Sequence, residues 1–174
     1  MKQEHKWVIE ITLIAFLISL IFTTASETTL SQTNSLFGIV VVLFFIIVGV
    51  FFDMIGTAVI SADPKPFNSM ASKKIRGGSI AVDVIKNSAK VSSFCNDVVG
   101  DICGIISGSG GIYLSLAISH KYNLHPFTIT LLITAVIASL TIGGKAVGKE
   151  LATKKSTIIL LKFSQFLSLW SKEY

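Results

Sequence analysis

The residues best suited to chemistry in this chain lie in Phe94-Cys95-Asn96-Asp97-Val98-Val99-Gly100-Asp101-Ile102-Cys103. There an amide and two carboxylates stand within a turn and a half, inside a largely apolar stretch from Val91 to His120 whose apolar run ends at Ile118. An ionisable group in a membrane span costs roughly 2.5 to 3.5 kcal/mol on insertion scales, so it faces a partner, a cavity or an ion. Asp97 and Asp101 are four apart and share one helix face. Two like charges are doubly unfavourable against lipid, which turns that face toward a cation, a basic side chain or a proton. Asp53 makes the same demand two to three turns from the end of an earlier apolar run, and Gly56 beside it lets another backbone approach. The expectation is that Asp53, Asn96, Asp97 and Asp101 converge on one positive species. A hard ion such as Mg²⁺ suits them, because it takes about six oxygens at roughly 2.1 Å and often keeps waters.

The elements that carry these residues are set by composition. Hydrophobic residues make up 51% of the 174-residue chain and charged ones 14%, with a mean hydropathy of +0.72. These values describe an integral membrane protein rather than a soluble domain. Apolar runs at Trp7 to Thr24, Leu36 to Ala62, Val91 to Ile118 and Pro126 to Gly143 are each long enough to cross about 30 Å of hydrocarbon. The fold class expected is all-α, with four transmembrane helices. Basic residues cluster before the first run, between the second and third, and after the fourth; of the 15 Lys and Arg residues only Lys121 lies elsewhere. The positive-inside rule then places both termini and the middle loop in the cytoplasm of a multi-pass plasma-membrane protein. The sequence pI near 9.3 fits contact with anionic membrane lipid; no aromatic-interleaved basic face suggests nucleic acid.

Between the second and third spans, Asp63-Pro64-Lys65-Pro66 stops the helix. Phe67 to Ile75 and Ile80 to Lys86 then read as short helices along the inner surface, with Asn68 or Ser79 as N-caps. Residues 156–174 read as an amphipathic juxtamembrane helix rather than a fifth crossing. Glu10 reads as snorkelling from the first span to the interface, or as a coupling carboxylate of the kind four-helix small multidrug exporters use, and Trp7 and Trp170 as interfacial anchors. Ser107-Gly108-Ser109-Gly110-Gly111 serves close helix packing, or a hinge. Cys95 and Cys103, two turns apart on one helix, read as small buried apolar residues. His120 and His125 flank an outer turn as loop residues. No nucleophile-base arrangement or cofactor loop points to an enzyme.

Phe51-Phe52 followed by Thr57-Ala58-Val59-Ile60-Ser61, Ile85-Lys86-Asn87 in the glycine-interrupted loop, Asn96 early in the third span, and Gly143-Gly144-Lys145-Ala146-Val147-Gly148-Lys149-Glu150-Leu151-Ala152 after the fourth resemble a known family. It is the transmembrane domain of the CorB, CorC and cyclin M (CNNM) magnesium transporters. The resemblance divides the chain into an extra N-terminal helix and external loop at 1–35, a CNNM/CorC-like domain at 36–155 lacking the CBS domains, and the C-terminal helix. It implies a homodimer binding a divalent cation, Mg²⁺, through a serine, an asparagine, a glycine carbonyl and a glutamate. Asn96 falls on the asparagine and Gly144 on the glycine; Asp53 or Ile55 takes the serine's place, and Lys145 stands where the glutamate belongs.

That lysine leaves two accounts open. In one, Asp53, Asn96, Asp97 and Asp101, with Gly144, hold a divalent cation for binding or transport. In the other, Lys145 is an internal counter-ion, and the chain is a non-transporting scaffold or accessory subunit whose polar core serves specificity. Proton-coupled export of organic cations is a third possibility, resting on an acid with a raised pKa.

Overall fold

The computed structural model describes the backbone over residues 2–31 and 35–169 and side chains over 6–28 and 36–169; Trp170, expected as an anchor, and Lys172 lie outside the described residues. Every regular element among them is helical. In chain order these are α1 (Lys2–Ser31), α2 (Ser35–Ser61), α3 (Pro64–Ser72), α4 (Gly78–Lys86), α5 (Ser88–Ser93), a π-helical turn (Phe94–Gly100), α6 (Asp101–Tyr122), α7 (Pro126–Lys154) and α8 (Ser156–Leu167). Four helical stretches are long and apolar enough to cross a membrane: Lys6–Thr28, Leu36–Ser61, Ser88–Tyr122 and Pro126–Lys154. The third joins α5, the π turn and α6 without a break, so it starts before and ends after the apolar run at Val91 to Ile118. The fourth runs eleven residues beyond Gly143, because Lys, Ala, Glu and Leu there are good helix formers.

The chain forms two compact units, residues 1–50 with 98–144 and residues 51–97 with 145–174. In the first, Ile11, Ala15 and Ile18 of α1, at helical spacing, pack with Phe45 on Val98, Ile102 and Ile106. A second cluster joins Val42 and Ile46 of α2 to Leu114 of α6 and Ile137 of α7. Nearby, the Ser115 and Thr130 hydroxyls share a hydrogen bond of 2.7 Å between α6 and α7. The small-residue segment at 107–111 stays helical and Gly111 packs against Ile137, which supports packing over a hinge. Glu10 is exposed on α1.

In the second unit the last turns of α2 contribute Ile55, Val59 and Ala62 to a core completed by Phe67 of α3, Ala81 and Val84 of α4, Cys95, and Leu160 of α8. The short helices start earlier than the sequence pattern suggested. Asp63, not Asn68, caps α3: its side chain accepts the Lys65 N–H at 3.0 Å, and Pro64 sits at N1, where a missing N–H costs nothing. Gly77, not Ser79, precedes α4 at φ 83°, and Gln165 of α8 packs where a Cβ would project, so a side chain is excluded there twice over. On α8 the buried residues Ser156, Leu160 and Ser164 recur every four positions and form one stripe.

Phe67 and Leu160 have no exposed surface. Replacing Phe67 by Ala should cost about 3–5 kcal/mol and Leu160→Ala about 2–5 kcal/mol of unfolding free energy, read by denaturant titration of the purified protein. Losses no greater than that of Ile158→Ala, at a position 56% exposed, would contradict this core.

Candidate cation site

The site lies in the second unit, where α2 meets the π turn. Asp53 and Gly56 are three residues apart on α2 and lie on one side of the helix. Asp53 is 3% exposed, although it sits in a helix of Val, Ile, Leu and Phe. One turn on, Thr57 turns its hydroxyl back to the Asp53 carbonyl at 2.8 Å and leaves the carboxylate alone.

Opposite Gly56 stands Asn96. Its Nδ2 donates to the Ser92 Oγ at 3.2 Å, which fixes the amide within its own helix. The other amide atom, Oδ1, points at Gly56: a Cβ added to the glycine would lie 2.1 Å from it and 3.1 Å from the Ser92 carbonyl oxygen. Glycine at 56 is therefore what lets the two helices approach. The π turn contributes by widening the helix locally; such turns occur often at functional positions.

Two oxygens are left over. Asp53 Oδ2 and Asn96 Oδ1 are buried, and neither has a hydrogen-bond partner among the described residues. A buried polar atom left this way costs about 1–3 kcal/mol, and more when it is charged. The Lys149 ammonium of α7 stands 3.8 Å from Asp53 Oδ2, too far for a hydrogen bond but close enough for Coulomb attraction. The lysine side chain is 54% exposed against 4% for the aspartate, so it offers partial neutralisation with a route to solvent.

The other expected ligands stand differently. Asp97 is exposed and accepts the Ser93 hydroxyl at 2.5 Å. Asp101, at the start of α6, is also exposed. Gly144 belongs to the first unit, where a Cβ would lie 2.8 Å from the Val50 Cγ2. Among the described residues no three His, Cys, Asp or Glu side chains gather closely enough to hold a metal ion. The expected gathering of three aspartates is therefore not found among the described residues; Asn96 meets α2 at Gly56, three residues along the helix from Asp53. His120 and His125 are exposed and join no such group.

The lysine facing Asp53 is Lys149, one helical turn beyond Lys145, the internal counter-ion expected from the sequence, which is partly buried. A four-residue spacing puts both on one face of α7, but the height at which α7 meets α2 depends on tertiary packing. Ser92, which orients Asn96, carried only the weak signal of a serine four residues before an asparagine.

Comparison of the chain with protein-family models, curated proteins and solved structures gives no match.

If Gly56 is the point of approach, Gly56→Ala forces Asn96 aside and should cost about 1–3 kcal/mol, as overpacking does. Asn96→Ala should recover part of that loss in the double variant. Strictly additive losses in a double-mutant cycle would show that the two residues do not touch.

Proposed function

We propose that the chain is a multi-pass membrane protein that binds a divalent cation of the Mg²⁺ type at Asp53 and Asn96, as part of its binding or transport across the membrane. The observation that carries this reading is the pair of buried oxygens without hydrogen-bond partners, Asp53 Oδ2, three residues from Gly56 on α2, and Asn96 Oδ1, which faces Gly56. A hard cation satisfies an ionised carboxylate and an amide oxygen together, since both are then acceptors and neither donates to the other.

Asp53 supplies the charge and Asn96 a neutral oxygen whose direction is set by Ser92; the Ser92 carbonyl faces the same glycine. These protein oxygens are fewer than the roughly six that Mg²⁺ requires, so the remainder of its shell is water. Lys149 neutralises Asp53 in the absence of the ion and, being half exposed, has solvent to turn to when the carboxylate takes another partner. The resemblance to the CorB, CorC and CNNM transmembrane domain supports this reading through Asn96 and further implies a homodimer. The distribution of Lys and Arg supports cytoplasmic termini.

A second reading is favoured by the 3.8 Å approach of Lys149: the polar centre is a structural ion pair in a non-transporting scaffold or accessory subunit. Titration of the purified protein with MgCl₂, followed by melting temperature, separates the two. Under the cation reading Mg²⁺ raises Tm, by an amount that grows with the logarithm of its concentration above Kd. Asp53→Asn should abolish the effect, Lys149→Met should shift the titration to lower Mg²⁺, and Asp97→Ala should leave it in place. Under the ion-pair reading the titration is flat, and Lys149→Met lowers Tm by leaving a buried carboxylate unpaired.

A further inference from the structure

A cavity of about 380 Å³ opens in the second unit between the C-terminal half of α2 and α8. Phe51 and Ile55 line it from α2, and Ile159, Lys162, Phe163 and Phe166 from α8. The volume falls within the roughly 300–1,000 Å³ of small-molecule sites, which pair apolar walls with a few placed polar groups. Here the walls are aromatic and aliphatic, and a single cation stands among them.

The α8 contribution follows from its two faces. Ser156, Leu160 and Ser164 are buried in the unit, whereas Ile159, Lys162, Phe163 and Phe166, spaced three and four apart, form the neighbouring face, on which Ile159 and Phe163 edge the core and Lys162 and Phe166 are exposed. Lys162 is exposed and has no ion-pair partner among the described residues. An amphipathic helix this short gains from the apolar face only where something apolar covers it, and the lysine specifies that the cover ends in an anion.

We infer that this cavity is a binding site for an anionic phospholipid, whose acyl chain lies between α2 and α8 and whose headgroup phosphate meets Lys162. The occupant is a lipid of the bilayer because the α2 wall belongs to one of the stretches long and apolar enough to cross a membrane; the inference rests on that reading of α2 and is independent of the cation site. The lysine ammonium acts as a point charge to the phosphate, while its aliphatic stem continues the apolar wall.

The test titrates the purified full chain in detergent with dioleoyl phosphatidylglycerol and, separately, with dioleoyl phosphatidylcholine, counting retained lipid by native mass spectrometry. The anionic lipid should be retained about five-fold more tightly, the ratio that about 1 kcal/mol per basic residue at an anionic surface corresponds to. Lys162→Gln should bring the two lipids level, whereas Lys155→Gln, at an exposed lysine that does not line the cavity, should preserve the preference. Phe163→Ala should weaken retention of both. A preference that survives Lys162→Gln, equal retention of the two lipids by the unaltered chain, or retention of oleate with neither phospholipid would overturn the assignment.

Discussion

The arrangement of the second unit depends on how a carboxylate is kept inside an apolar helix. Asp53 is almost wholly removed from solvent, and nothing within its own helix compensates it, since Thr57 bonds to the backbone. Removing a charge from water is costly unless opposite charge and hydrogen bonds replace the lost hydration. The replacement is incomplete: an ammonium from α7 stands just beyond hydrogen-bonding range, while the oxygens of Asn96 and Ser92 that face Gly56 add acceptors and no positive charge. A fully compensated carboxylate would be a structural element only. One with an oxygen still unpaired retains affinity for a positive partner, and the functional reading grows from that remainder.

Much of the architecture was legible in the residues because it follows from run length. Four apolar stretches separated by polar ones specify four long helices, and internal backbone pairing is the only arrangement such stretches have in hydrocarbon. What hydropathy does not mark is where a helix stops: α7 carries on past Gly143-Gly144, where apolarity ends, into a stretch whose Lys, Ala, Glu and Leu are good helix formers. Asp63-Pro64 shows a related ambiguity. The same dipeptide that ends one helix begins the next, with the aspartate as cap and the proline at N1, so a reading that sees only a terminator places the following cap too late.

The site itself was half legible. Asp53 and Asn96 stand out as polar groups in apolar runs, and Gly56 as the residue permitting contact. The relation of Asp97 to Asn96 was not, because the Phe94–Gly100 segment departs from α geometry and no local signature in Phe-Cys-Asn-Asp-Val-Val-Gly announces a wider turn. Neighbouring positions end in different surroundings: Cys95 is buried, Asn96 half-buried and Asp97 exposed. That Lys149 stands against Asp53 likewise depends on where two helices cross, a property of the packed unit rather than of either segment alone.

The cysteines give the molecule a practical property. Cys95 and Cys103 are the only two in the chain, neither is in a disulfide, and they are 3% and 5% exposed. Water-soluble maleimides reach thiolates at accessible surfaces and leave thiols sheltered in apolar packing unreacted. The unaltered chain is thus a quiet background for reporter cysteines introduced one at a time into its loops, whose labelling from either side of a sealed vesicle reads out topology without first stripping the native sulfhydryls from the helix that bears Asn96.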